Sequence, residues 1–96
     1  MNRDEVLDQL ARNKPTLVAR CGVERLALFG STARDAGRAD SDIDILVSFD
    51  GPATSERYFW VQFFLEDLLG RPVDLVTDKA LRPELRPFIE REAVHV

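Results

Sequence analysis

Two aspartates, Asp42 and Asp44, stand two positions apart at the start of the sequence DIDILV, residues 42–47. In an extended strand, side chains at positions i and i+2 point to the same face, about 7 Å apart along the backbone. Two carboxylates held in this way repel each other unless positive charge lies between them, and Mg²⁺ prefers hard oxygen ligands of this kind. The spacing therefore indicates a binding site for a divalent metal ion.

A turn of small residues precedes this pair. The sequence LALFGSTARDAGRAD, residues 26–40, is typical of a strand that ends in a turn at Gly30 and Ser31. The backbone N–H groups and the hydroxyl of such a turn suit an anion such as phosphate. Arg34 and Arg38 could neutralise phosphate charge, and the alternative for each is a solvated surface arginine. The turn and the carboxylates together predict phosphoryl or nucleotidyl transfer. The chain has neither G-x-x-x-x-G-K-[ST] nor G-x-G-x-x-G, so a P-loop NTPase or a dinucleotide enzyme is unsupported.

A third carboxylate, Asp74, interrupts the apolar segment VDLV, residues 73–76. A carboxylate inside a short apolar strand is costly unless it is paired, hydrated or bound to metal. If this strand lies beside residues 43–47, Asp74 joins Asp42 and Asp44, and three carboxylates can hold two metal ions about 3.5–4 Å apart. One metal would activate an attacking hydroxyl, and the other would hold a triphosphate. Asp74 could also accept the hydroxyl proton as a general base.

The pattern of apolar residues, glycines and prolines predicts an α/β (α+β) fold, a small mixed sheet flanked by helices, in one domain that covers residues 1–96. The predicted helices cover 3–13, Pro15 to Gly22, a short turn capped by Ser31 or Thr32, 55–69, and Pro83 to about 92. The predicted strands cover 23–29, 43–49 and 73–76.

Composition narrows the class of protein. The 96 residues are 45% hydrophobic and 31% charged, which is ordinary for one globular domain. The net charge of -4 argues against a direct nucleic-acid binder. Cys21 is the only cysteine, and no signal-like or membrane-spanning segment is visible, so we expect a cytoplasmic protein. His95 is the only histidine, which leaves histidine catalysis and His/Cys zinc sites poorly supported.

The predicted helix 55–69 carries two aromatic residues, Phe59 and Phe63, outside its main apolar stripe. One interpretation is a helix that is buried more deeply than a surface helix, with both rings in the core. The other is an exposed aromatic pair that docks a partner protein.

The segment GSTARDAGRADSDIDILV, residues 30–47, resembles the signature of the minimal nucleotidyltransferases of the DNA polymerase β superfamily. The closing segment from residue 68 onward is also similar to these small proteins. The resemblance implies the nucleotidyltransferase fold, with Gly30 and Ser31 in the nucleotide-binding turn and Asp42, Asp44 and Asp74 as the metal-binding, catalytic carboxylates. The residue after Arg34 is most often Gly in this pattern. Here it is Asp35, which would place negative charge near the phosphates.

Members of this length resemble the antitoxin of HEPN/MNT toxin–antitoxin pairs. The implied activity is Mg²⁺-dependent transfer of AMP from ATP to a tyrosine of the cognate HEPN ribonuclease toxin, which silences the toxin. Two alternatives stay open. The protein could neutralise its partner by occlusion, with a vestigial nucleotide site, or it could act on the hydroxyl of a small molecule.

Overall fold

The computed structural model describes residues 1–35 and 41–96. The helices are α1 (Arg3–Cys21), α2 (Gly30–Ala33), α3 (Ser55–Leu69) and α4 (Arg86–Glu92), with a 3₁₀ turn at Asp78–Ala80. The strands are β1 (Val23–Phe29), β2 (Ile43–Phe49), β3 (Val73–Thr77) and β4 (Val94–His95). The predicted α+β class with a small mixed sheet is confirmed.

The four strands form one sheet in the order β3-β2-β1-β4. Strand β2 runs parallel to β3, whereas β1 is antiparallel to both β2 and β4. The central strands β1 and β2 were predicted with their observed bounds, and β3 extends one residue further, to Thr77. Strand β4 was not predicted, because a two-residue strand is too short to show an alternating pattern.

The larger hydrophobic core lies between one face of the sheet and helices α1 and α3. Its β2 members are Ile43, Ile45 and Val47, which are all fully buried. A smaller core on the opposite face joins Ala27, Phe29, Leu46 and Leu81, with Val76, Ile89 and Ala93 packed against it. Because side chains alternate along a strand, Asp44 faces the side of the sheet that the smaller core and α4 occupy.

Helix α1 is one helix through Pro15, so the prediction of two helices with a break there was wrong. Proline inside a helix costs about 3 kcal/mol because a hydrogen bond is lost and its ring crowds the preceding turn. The buried residues Leu17 and Cys21 continue the stripe that Val6 and Leu10 begin, so packing on both sides of the proline offsets this cost. The helix ends where predicted, at Gly22, whose φ of 66° allows the left-handed cap.

Helix α3 covers the outer edge of β3 with polar side chains. Glu66 Oε2 accepts a hydrogen bond from the Val73 backbone N–H at 3.0 Å, and the Tyr58 hydroxyl donates to the Leu75 carbonyl at 2.6 Å. Gln62 donates to the Val73 carbonyl at 3.4 Å. An exposed strand edge is a template for aggregation, and these contacts satisfy part of that edge within the chain.

The other differences between the predicted and the observed helices concern only where a helix begins. Helix α2 begins at Gly30 with Phe29 at its N-cap, so neither Ser31 nor Thr32 caps it as predicted. Helix α4 begins at Arg86, three residues after Pro83.

None of the helices in residues 1–35 and 41–96 combines the length and the apolar character that crossing a membrane requires.

Candidate functional site

The parallel pairing of β2 with β3 places Asp44 directly opposite Asp74. Both residues belong to the face of the sheet that the larger core leaves free, since Ile43, Ile45 and their β3 neighbours fill the other face. Asp44 is half-buried, whereas Asp42 and Asp74 are exposed. The sequence-based expectation that strand 73–76 lies beside residues 43–47 is confirmed, and with it the proximity of Asp44 and Asp74.

The pKa of Asp44 is raised from 3.8 to about 6. Burial is the largest cause, because it disfavours the charged form, and the negative charge of Asp74 together with a hydrogen bond between the two carboxyl groups is next. The charges of Asp42 and Glu92 raise the pKa further. Asp44 is therefore the centre of a group of carboxylates whose mutual repulsion a proton or a cation would relieve.

Gly30 lies against this group. Its φ of 73° is in the left-handed region, and a Cβ atom at this position would overlap the Asp44 carboxylate. Strand β1 pairs Phe29 with Asp44, so the turn at Gly30 follows directly after the point where β1 reaches the acidic residue. Only glycine combines this backbone conformation with the space that Asp44 requires.

Glu92 is a site residue that the sequence analysis missed. Its Oε1 accepts a hydrogen bond from the Gly30 N–H at 3.1 Å, and its Oε2 accepts one from Arg34 at 2.7 Å. The pairing of Leu28 with Val94 explains the contact, because the same antiparallel register brings Glu92 level with Gly30. The only signal that could have revealed Glu92 is strand β4, which is too short to recognise in the sequence.

The remaining predicted residues surround the turn. Ser31 is half-buried in α2, and Arg34 ends that helix with its guanidinium paired to Glu92 rather than free. Asp35 has a φ of 57°, a conformation that favours glycine, which explains why an Asp at this position is a departure from the pattern. Arg38 and the rest of 36–40 lie outside the described residues.

A metal centre stays a prediction. Within the described residues, no three His, Cys, Asp or Glu side chains are arranged as a group that could hold a metal ion. The structure brings Asp44 and Asp74 together, and Asp42 acts on Asp44 through its charge. The oxygen-only character of this set is the kind that Mg²⁺ prefers.

Phe59 and Phe63 form a second candidate site. Their side chains are 50% and 63% exposed, so the interpretation that placed both rings in the core was wrong. The two rings stack with centroids 6.1 Å apart on the outer side of α3. This exposed aromatic pair agrees with the alternative interpretation, a surface that binds a partner.

Comparison with known proteins gives consistent matches along the chain. A family model described as nucleotidyltransferase domain matches residues 4–96. Protein adenylyltransferase MntA of Thermococcus cleftensis is 36% identical over 93 residues, which are 97% of this chain and 94% of the relative. A solved structure of a candidate minimal nucleotidyltransferase is 38% identical with a TM-score of 0.80, over 98% of this chain and 95% of that chain.

More distant structures come from toxin–antitoxin complexes. A toxin–antitoxin structure with AMP-PNP contains a chain that is 22% identical with a TM-score of 0.70, over 99% of this chain and 72% of that chain. A complex of the tri-AMPylated HEPN toxin with the MNT antitoxin of Shewanella oneidensis gives 21% identity and a TM-score of 0.60, over 98% of this chain and 67% of that chain. At this level of identity, the likeness concerns the fold alone.

Replacing Gly30 by alanine should destabilise the protein more than the same change at Gly70. Both glycines have a left-handed φ, 73° and 66°, but only the new methyl group at Gly30 would meet another group, the Asp44 carboxylate. We expect a loss of about 1–2 kcal/mol for Gly70→Ala from backbone strain alone. Gly30→Ala should lose at least about 1 kcal/mol more, because the methyl group overpacks the site. Urea unfolding of both variants measures the difference, and equal losses would contradict the contact with Asp44.

Asp44→Asn should stabilise the metal-free protein near neutral pH. The pKa of Asp44 is higher in the folded state, about 6, than its ordinary value of 3.8. Ionisation therefore costs stability at a pH above about 6, and this cost vanishes as the pH falls to about 4. With allowance for solvent screening, the gain should be about 1 kcal/mol at pH 7.5 and near zero at pH 4.

Urea unfolding in chelator at both pH values measures this gain. Asp67→Asn, an exposed carboxylate on α3, is the matched control and should change little at either pH. A loss of stability in Asp44→Asn at pH 7.5 would show that the carboxylate is held favourably in its charged form.

Proposed function

We propose, from the premise that this chain belongs to the nucleotidyltransferase domain family, that it transfers AMP from ATP to a hydroxyl group of a partner protein. Membership of this family identifies the chain as a nucleotidyltransferase. The relative from Thermococcus cleftensis is named as a protein adenylyltransferase. The observation that carries the proposal is the register of the sheet, which sets Asp44 against Asp74 beside the turn at Gly30.

The turn would receive the phosphates of the nucleotide. The Gly30 N–H, the Ser31 hydroxyl and the Arg34 guanidinium are donors of the kind that bind phosphate oxygens. Arg38 is proposed as a further phosphate ligand from the sequence alone. Asp35 adds a negative charge beside these donors, which should weaken nucleotide affinity relative to a chain with Gly at that position.

Asp42, Asp44 and Asp74 are the residues that would hold Mg²⁺. The fit rests on two observations: the donors are all carboxylate oxygens, and each charged group that perturbs Asp44 in the described part of the chain is itself negative. Bound Mg²⁺ would neutralise this charge and that of the triphosphate.

The reaction itself would be an in-line transfer. The acceptor oxygen forms a bond to the α-phosphorus of ATP while the bond to the bridging oxygen breaks, and pyrophosphate leaves. Asp74 is exposed and adjacent to Asp44, so it is the side chain best placed to accept the proton of the incoming hydroxyl.

The proposed acceptor is a tyrosine of a cognate HEPN toxin, which makes this chain an antitoxin. The support is the adenylyltransferase name of a relative with 36% identity, and the fold shared with the MNT antitoxin that is solved with a tri-AMPylated HEPN toxin. A small-molecule hydroxyl is the alternative acceptor, and a transfer assay with the partner protein separates the two.

Asp42→Asn and Asp44→Asn should each abolish AMP transfer. Removing a proposed metal ligand should reduce the rate at least about 100-fold, since even outer-shell partners of metal ligands are worth 10–100-fold. The assay follows label from α-labelled ATP with Mg²⁺ into the purified partner, and mass spectrometry identifies the modified residue. Asp4→Asn, which removes the same single charge at an exposed residue of α1, is the control and should transfer at the wild-type rate. Full transfer by Asp44→Asn would reject the carboxylate assignment.

Neutralisation by binding is a second candidate function, which the exposure of Phe59 and Phe63 favours. Phe59→Asp combined with Phe63→Asp should weaken the complex with the toxin at least about 100-fold, because buried aromatic residues dominate interface energies. The fold should survive, since both rings already contact solvent. Val18→Asp, which alters an exposed apolar residue on α1, is the control.

Calorimetry with the partner and circular dichroism measure these two effects. If Asp44→Asn still protects cells from the toxin while the double Phe variant does not, occlusion is the operative mechanism. If the double Phe variant unfolds, both rings contribute to the core and the proposed surface is wrong.

A further inference from the structure

The donors proposed for phosphate are already occupied by a carboxylate of this chain. Glu92 spans them, with one oxygen 3.1 Å from the Gly30 nitrogen and the other 2.7 Å from an Arg34 nitrogen. A planar anion that accepts from a backbone N–H and a guanidinium satisfies both donors in the way that two phosphate oxygens would. The Glu92 carboxylate thus binds the same donors that are proposed to bind the phosphate oxygens of the nucleotide.

The position of Glu92 follows from the fold rather than from a surface rotamer. The antiparallel ladder pairs Ala27 with His95 and Leu28 with Val94, which sets the backbone of Glu92 level with Gly30. Ile89 and Ala93, on either side of Glu92, pack against the smaller core. The Glu92 side chain is 29% exposed, so most of its surface already contacts protein.

We propose that Glu92 is an intramolecular competitor that occupies the phosphate-binding donors of the nucleotide-free protein and leaves them when a triphosphate binds. The inference rests on the proposed function, because it takes Gly30 and Arg34 as phosphate ligands. Two anions cannot share these donors, and the charge of Glu92 adds to that of the carboxylates around Asp44. The apparent affinity for nucleotide is therefore the intrinsic affinity multiplied by the fraction of molecules in which Glu92 has left these donors.

Glu92→Gln should bind nucleotide more tightly than the wild type. The amide keeps an acceptor for the Gly30 N–H but loses the charge that pairs with Arg34. We expect the Kd of AMP-PNP with Mg²⁺, measured by calorimetry, to fall about two- to fivefold, the size expected for one partly exposed ion pair. Glu90→Gln is the matched control on the same helix, because Glu90 contacts Arg86 and should leave the Kd unchanged.

The outcomes separate the two proposals. If the wild type and Glu92→Gln both fail to bind AMP-PNP, the nucleotide site itself is wrong and this inference falls with it. If the wild type binds and Glu92→Gln binds equally or more weakly, Glu92 is only a structural contact, and the proposed function stands without it. A purely structural role predicts weaker binding, so the sign of the change decides.

Hydrogen exchange of the unaltered chain gives a test that does not depend on a variant folding. Saturation with AMP-PNP and Mg²⁺ should release Glu92 and speed exchange of the α4 amides, such as the Ala93 N–H that donates to the Ile89 carbonyl at 2.9 Å. An increase of several-fold is expected. Slower or unchanged exchange in α4 at saturation would overturn the proposal.

Discussion

The buried face of β2 determines where the acidic residues lie. Ile43, Ile45 and Val47 are fully buried against α1 and α3, and each such side chain contributes about 1.5–3 kcal/mol through burial. A shift of the strand by one residue would turn all three away from the larger core and turn Asp44 into it, so the register cannot slip. The core therefore holds Asp44 against Asp74 in spite of their repulsion, and the pKa of Asp44 is raised first by its burial and then by this repulsion. A site that destabilises its own fold in this way is typical of a surface kept for a ligand.

Both edges of the sheet serve this arrangement. On one side, side chains of α3 satisfy backbone groups of β3, so the strand that carries Asp74 is held without a further strand beside it. On the other side, β4 pairs with β1 and brings Glu92 to the turn. Gly30, which directly follows β1, and Asp44, which lies in β2, are thus positioned by the two central strands of the sheet, between an edge covered by α3 and an edge formed by the two-residue strand β4.

The sequence predicted the centre of this fold better than its periphery. The strands 23–29 and 43–49 and the helix 55–69 carry long apolar patterns bounded by glycine or proline, and each has the predicted bounds. Asp74 could be predicted as a site residue because a carboxylate inside an apolar strand is unusual. Pro15 was misleading, because proline usually begins or breaks a helix. Here the packing of α1 along its whole length keeps the helix continuous through Pro15. Glu92 carried no local signal, because its role depends on a pairing between residues more than 60 positions apart.

Gly30 is subject to three separate demands, which come from different parts of the chain. Its backbone must take a positive φ, its α-carbon must leave room for Asp44, and its N–H must find an acceptor. The first two are fixed, since Asp44 belongs to a strand with neighbours on both sides. The third is met by Glu92, which is held by a two-residue edge strand and a seven-residue helix. A short segment with few ladder hydrogen bonds opens more readily than a central strand. The C-terminal segment is therefore the part of the site that can give way to a ligand without disturbing the carboxylates.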